Sequence, residues 1–280
     1  MQPTAGMPFT GIATFARAPY VTDLAQLAAD FAVYGLPFDA AVGFRPGQRL
    51  APRSIRDLST RFAMPWGPEN PGCWSIEEER WYLQGARLAD LGDADPLYTD
   101  LEHFDRSVAD LVGSILDRGA IPVGLGGDHS VSFPAIKAFA GRGELEILQL
   151  DAHLDFTDRI AGHPRSNSSP FRRAAELDFV GGITVLGARG LRTNPEAHQA
   201  AKMRGNRIVT QRAIREEGLA RALAVLPQGK RLYLSIDIDV LDPAIAPGTS
   251  SPEWEGMNLT ELRAIVKAAC AQNEVIGLDL

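Results

Sequence analysis

Six short apolar runs punctuate the chain: FAVYGL (31–36), IPVGL (121–125), LEILQL (145–150), ITVLG (183–187), RLYLSI (231–236) and VIGLDL (275–280). They are continuous rather than alternating, as expected of parallel strands covered on both faces. Between them, apolar residues recur at three- and four-residue spacing and predict helices over 51–62, 101–116, 131–140, 212–226 and 259–271. The repeated strand–helix order predicts an α/β fold, a three-layer α/β/α sandwich around a mainly parallel central sheet. With no internal repeat or long linker, residues 1–280 read as a single domain. The stretch 63–82, rich in Pro, Gly and Trp, reads as an irregular excursion.

Polar chemistry collects where the most apolar runs end. LEILQL is followed by Asp151-Ala152-His153-Leu154-Asp155, and RLYLSI by Asp237-Ile238-Asp239. If the strands continue, their period of two puts Asp151, His153 and Asp155 on one side and pairs Asp237 with Asp239. IPVGL leads into Gly126-Gly127-Asp128-His129-Ser130, whose glycines permit a tight backbone path. In open parallel sheets, functional groups gather at the carboxyl ends of strands. Any one of these side chains alone reads as a solvated strand-end residue. Four aspartates and two histidines together would repel and protonate unless cations neutralised them. Two divalent ions are the simplest solution, and carboxylate and imidazole ligands without thiolates suit Mn²⁺, with Ni²⁺, Co²⁺ or Zn²⁺ as alternatives.

Composition narrows the function further. A formal charge of -7 and a pI near 5.3 argue against a nucleic-acid partner, which would need clustered Lys and Arg. The N-terminus lacks the basic and apolar regions of a signal peptide, and no stretch approaches the roughly 20 apolar residues of a membrane span. Only two cysteines, Cys73 and Cys270, fit a reducing, cytoplasmic setting. With no histidine near it in sequence, Cys73 reads as a packed or surface thiol, and His103 and His198 read as non-ligands.

In three motifs, GGDHS (126–130), DAHLD (151–155) and SIDIDVLDPAIAPGT (235–249), the sequence resembles the arginase/agmatinase, or ureohydrolase, family. GLPFD (35–39), RPGQRLAPRSIR (45–56) and FRRAAE (171–176) extend the likeness over most of the chain from about Phe15 onward. The resemblance implies a binuclear, usually manganese, hydrolase that splits a guanidino group into an amine and urea, and a homo-oligomer, trimer or hexamer. It implies one ion held by His129, Asp151, Asp155 and Asp237 and another held by His153, Asp151, Asp237 and Asp239, with Asp151 and Asp237 bridging. The chemistry is consistent, because a resonance-stabilised guanidinium carbon needs a strong nucleophile, and two cations lower the pKa of bound water. Asp155 would orient that nucleophile and move its proton. Asp128 and Asp242 read as supporting partners rather than ligands.

The sequence departs from the family pattern in three places. Asn167 stands where agmatinase relatives have a proton-shuttling histidine, and an amide cannot titrate in the useful range. His163 is a candidate substitute, weighed against an ordinary loop histidine. Ser250-Ser251 and Trp254-Glu255 replace residues expected at the substrate mouth. The chain ends at Leu280, before the family's guanidinium-gripping glutamate and closing helix, so either the sequence is cut short or this variant lacks that grip. Agmatine is therefore a doubtful substrate. Guanidine, a guanidino acid, an alkylguanidine or biguanide, and a formimino compound stand beside it. A metal-binding but non-catalytic subunit of a paralogous complex is the competing reading from another class, and a single-ion deacetylase of related topology is a third.

Overall fold

All six apolar runs form strands, and ten strands in all are present among the described residues. They are β1 (Phe31–Leu36), β2 (Cys73–Ser75), β3 (Arg80–Tyr82), β4 (Leu88–Asp93), β5 (Ile121–Gly126), β6 (Leu145–Leu150), β7 (Val180–Ala188), β8 (Arg207–Thr210), β9 (Arg231–Ile236) and β10 (Glu274–Asp279). The structure is a computed structural model and describes residues 7–8 and 10–280. Eight strands make one parallel sheet in the order β4-β1-β5-β10-β9-β6-β7-β8. The chain lays down β1, β4 and β5, jumps over two places to build β6, β7 and β8 outward, and returns to fill the gap with β9 and β10. The last strands inserted therefore lie centrally, where both faces are covered.

Helices α1 (Ala51–Ser59), α2 (Leu101–Asp117), α3 (Ser132–Lys137), α4 (Pro170–Ala174), α5 (Pro195–Met203), α6 (Gln211–Glu217), α7 (Ala220–Leu223) and α8 (Leu259–Gln272) connect these strands. Their starts are written in the sequence. Asp100 caps α2 by accepting from His103 N, and Asn258 and Glu261 close a reciprocal capping box on α8. On β6, Leu145 and Ile147 pack into one core cluster with Phe104, Phe139 and Phe171, while Leu148 and Leu150 join another with Ile214 and Ile265. These alternating faces make the three layers. Among the described residues, no helix is long and apolar enough to cross a membrane.

Several sequence expectations need correction. The predicted helix over 212–226 is broken by Gly218, at φ 84°, into α6 and α7. That over 131–140 shortens to α3, entered by a 3₁₀ turn at His129–Val131. The excursion at 63–82 contains an antiparallel hairpin, β2–β3, whose Trp74 and Trp81 rings meet edge-on at 5.4 Å. Glu77 and Glu78 in its turn pair with Arg263 and Lys267 of α8. Strands β4 and β8 and helix α5 were not anticipated: β4 and β8 are edge strands carrying charge, and α5 buries only Ala197 and Ala201.

Candidate metal centre

β5, β6 and β9 end at Gly126, Leu150 and Ile236, and their exits meet at one edge of the sheet. Gly127 crosses the exit of β1 so closely that a Cβ there would stand 1.9 Å from Phe38 O. Its N–H donates to Leu36 O at 3.0 Å and the next, of Asp128, to Phe38 O at 2.7 Å, which fixes the start of the His129 turn.

The aspartates are not placed by continued strand alternation, which corrects the sequence reading. β6 stops at Leu150 and residues 151–155 form a loop, in which Asp155 takes a left-handed φ of 44°. Asp237 instead caps a 3₁₀ turn over Ile238–Val240. Each exit is set by a carboxylate accepting the N–H two residues on: Asp128 from Ser130 at 2.9 Å, Asp151 from His153 at 2.6 Å, Asp237 from Asp239 at 2.9 Å.

These turns bring all six expected ligands into one cluster. His129, Asp151 and Asp237 offer atoms within 4.8 Å of one another, and so do Asp151, His153 and Asp239. His129 Nδ1 faces carboxylate oxygens of Asp151, Asp155 and Asp237 at 3.1, 3.0 and 3.2 Å. His153 Nδ1 stands 3.1 Å from Asp239 and 3.5 Å from Asp151. Asp151 is common to both groups. As the side chains stand, Asp237 belongs to the first group alone, with its Oδ1 turned to Asp239 N.

The surroundings were not read from the sequence. Ser235, on β9, donates to Asp279 Oδ1 at 2.5 Å and lies 2.9 Å from His129 Nε2; Tyr233 donates to the other Asp279 oxygen at 2.6 Å. Because the Ser235 proton is committed to Asp279, Nε2 carries the imidazole proton and Nδ1 points its remaining valence at three carboxylates. Nδ1 is buried with no hydrogen-bond partner. A lone pair so placed is stable only with a proton or a metal ion between it and the oxygens, so the residues fit a divalent cation. Gln149 donates to Asp151 Oδ2 at 2.7 Å, and Asp239 Oδ1 accepts from Ala152 N at 3.1 Å. Gln149 and Ser235, each a polar residue next to the last position of its apolar run, were the available signal.

Considered as protein groups alone, the cluster is strongly perturbed. Burial works against a charged His153, yet Asp151 and Asp239 override it and push its pKa up to about 12. His129 is likewise raised by Asp151, Asp155 and Asp237 against its burial. Burial, then Asp151, lifts Asp155 to about 6, while burial followed by the Asp237 and Asp151 charges raises Asp239. Asp151 is depressed despite complete burial, because the His129 and His153 imidazoles both face it.

Above the cluster opens a cavity of about 660 Å³, lined by Arg45, Gln48, Asn167, Arg192 and Ser250 among others. Asn167 is half-buried in its wall. His163 is not brought there: it is exposed, closes a tight turn with Ile160, and does not line the cavity. Asp128 bonds Ala41 N and Ser130 N, and Asp242 bonds Ala244 N and Gly256 N, so both brace loops. His103 pairs with Asp95 at 2.8 Å and His198 is exposed on α5, both apart from the cluster. Cys73 and Cys270 are exposed free thiols.

Carboxylates and imidazoles converging at the carboxyl edge of a parallel sheet define an α/β protein with a candidate binuclear metal centre. The Arginase family matches residues 29–280, and the chain belongs to that family. It is 32% identical over 276 residues to the human mitochondrial guanidino acid hydrolase, covering 96% of this chain and 75% of that protein. To the agmatinase of Bacillus subtilis it is 37% identical over 262 residues, 90% of this chain and 82% of the other. The proclavaminate amidino hydrolase of Streptomyces clavuligerus superposes with a TM-score of 0.85 at 27% identity, covering 98% of this chain and 89% of that one.

Proposed function

We propose that this amidinohydrolase holds two divalent ions, manganese by its donor set, and acts on a guanidino or formimino compound whose tail is anionic rather than on agmatine. The observation that carries the reading is the cluster itself, with His129 Nδ1 and His153 Nδ1 each facing carboxylates, Asp151 common to both, and Asp155 alongside. His129, Asp151, Asp155 and Asp237 would hold one ion, and Asp151, His153 and Asp239 the other. When bound, the ions supply Lewis acidity and a water acidic enough to act as nucleophile at neutral pH. Asp155 is the chain's proton carrier. Its carboxylate sits 3.0 Å from His129, and its backbone is fixed by Phe171 N donating to its carbonyl at 3.2 Å. Water adds to the amidine carbon, the bond to the substituted nitrogen breaks, and the proton passes through Asp155 to the departing amine. Asn167 orients substrate through hydrogen bonds and moves no proton.

The tail preference rests on charge. The carboxylates that line the cavity, Asp128, Asp155, Asp237, Asp239 and Asp279, belong to the strand-end cluster and its supports, whereas Arg45 and Arg192 are exposed side chains that line it together with Gln48, Thr193 and Ser250. A cationic agmatine tail would meet two arginines, and a carboxylate would be attracted by them. The relatives' names include both an acid hydrolase and an agmatinase, so the tail assignment rests on the charges of this cavity.

The test is product release by Mn²⁺-loaded protein from a guanidino acid, a formimino amino acid and agmatine. The anionic substrates should be preferred, and Arg45→Glu and Arg192→Glu should each raise KM for them about tenfold with kcat little changed. Asn167→Ala should lower kcat/KM on the same substrates by about tenfold or more. Efficient cleavage of agmatine with indifference to both arginine reversals would refute the tail assignment. Fewer than two ions per folded chain would refute the binuclear reading.

A further inference from the structure

His129 has its outer nitrogen satisfied by Ser235, but the outer nitrogen of His153 has no such hydrogen bond. His153 Nε2 is buried and without a partner. The nearest carboxylate beyond the ligand cluster is Glu253, whose Oε1 stands 3.7 Å away, one small side-chain adjustment short of a hydrogen bond. From this geometry we infer that Glu253 is the outer partner of His153, a positioning residue that orients this imidazole toward its ion. The inference rests on the binuclear reading above and adds to it a residue from the loop at the mouth of the cavity.

Three features hold Glu253 in place. Gly190 packs against its carboxylate so closely that a Cβ there would come within 2.4 Å of Oε2, so the glycine leaves the space the acid fills. Arg189 donates to the Glu253 carbonyl at 2.8 Å and the Trp254 carbonyl at 3.0 Å. The same guanidinium donates to the carbonyls of Asp239 at 2.6 Å and Val240 at 3.2 Å. One arginine thus ties the backbone that presents Glu253 to the backbone that presents a metal ligand. Glu253 and His153 are both largely buried, with side chains 16% and 17% exposed, so little water competes for the contact.

With Nε2–H donating to the carboxylate, the imidazole is held in the tautomer that leaves Nδ1 free toward Asp239 and Asp151. Loss of such a partner weakens metal affinity by about 10–100-fold. The effect should fall on one ion only, because His129 is oriented by different residues, Ser235 and Asp279.

The experiment is Mn²⁺ titration of the full chain by calorimetry, with electron paramagnetic resonance of the loaded samples. The unaltered chain comes first: if it binds fewer than two ions, the binuclear reading fails and not the role of Glu253. Given two ions, Glu253→Ala should weaken one site about 10–100-fold and leave the other unchanged. At substoichiometric Mn²⁺ its spectrum should become that of an isolated ion. Glu253→Gln keeps an acceptor oxygen for Nε2–H and should restore both affinities to within about threefold. Glu255→Ala, in the same loop but pointing to Arg215, is the control and should bind as the unaltered chain does. Two normal sites in Glu253→Ala would overturn the inference. So would a folded Glu253→Gln protein as defective as Glu253→Ala.

Discussion

Replacing Ser235 by Ala removes one oxygen between His129 and Asp279. Ser235 is fully buried and Asp279 is 2% exposed, so water does not reach the gap easily. The lost bonds are one to a carboxylate, at 2.5 Å, and one to an imidazole, at 2.9 Å. A bond to a charged acceptor contributes about 1.5–3 kcal/mol and a neutral one about 1 kcal/mol, so the expected loss is about 3 kcal/mol. Tyr233 still donates to the other Asp279 oxygen, which keeps the loss from growing further. With an unfolding entropy of about 2.1 cal/mol/K per residue over 280 residues, that loss lowers Tm by about 5 °C. Scanning calorimetry with chelator present measures this without any contribution from bound ions. A Mn²⁺ titration then measures the second effect, in which the His129 site weakens about 10–100-fold because the imidazole has lost its outer acceptor. A Tm within about 1 °C of the unaltered chain and two undisturbed ion sites would refute the reasoning.

Two further outcomes follow from the charges. His153, held near 12 by Asp151 and Asp239, and His129, also raised, carry protons when only protein groups are present, so ion binding must displace them. Mn²⁺ affinity should therefore rise with pH through neutrality, with protons released as the ions bind; calorimetry in buffers of different ionisation enthalpy detects them, and pH-independent binding would contradict the assignment. Away from the centre, Arg56 makes a two-pronged bond to Asp90, at 2.8 and 3.0 Å, and a 2.6 Å bond to Asp93. Arg56→Leu leaves Asp90, 1% exposed, without its cation and should lower stability by about 3–5 kcal/mol in denaturant unfolding; a loss below about 1 kcal/mol would show that the pair offsets no more than its own desolvation.

The strands that carry the centre were legible because their apolar runs are continuous and end abruptly in charge. LEILQL followed by Asp151 and RLYLSI followed by Asp237 announce both a buried strand and the point where it meets chemistry. The clustered side chains were picked out for a partly mistaken reason. Continued strand alternation does not place them; each exit turns at once, held by a carboxylate on the N–H two residues later, and that local bond needs an acid at the first position of Asp151-Ala152-His153 and Asp237-Ile238-Asp239. Ser235 and Gln149 went unnoticed inside apolar runs, although a buried polar side chain always needs a partner. Glu253 had no local signal, because its position depends on Arg189 and Gly190, some sixty residues earlier. His163 drew attention for its residue type alone, and its exposed turn removes it from the cavity.

This division between strand ends and loops explains how one centre can serve different substrates. The floor of the cavity is built from β5, β6 and β9, whose positions are fixed by core packing on both faces of the sheet, so the ligand cluster cannot drift without disturbing that core. Arg45, Asn167, Arg192 and Ser250 lie on connecting segments, where a substitution alters only what the tail meets. Tail chemistry can therefore change while the strand-end cluster stays intact. Arg189 limits that freedom. Because it grips both Glu253 in the mouth loop and Asp239 at the floor, a change that shifts the mouth loop also pulls on Asp239, a proposed metal ligand. Substitutions at Ser250 or Ser251 should then alter substrate preference with little effect on ion affinity, whereas those at Arg189 or Gly190 should alter both together.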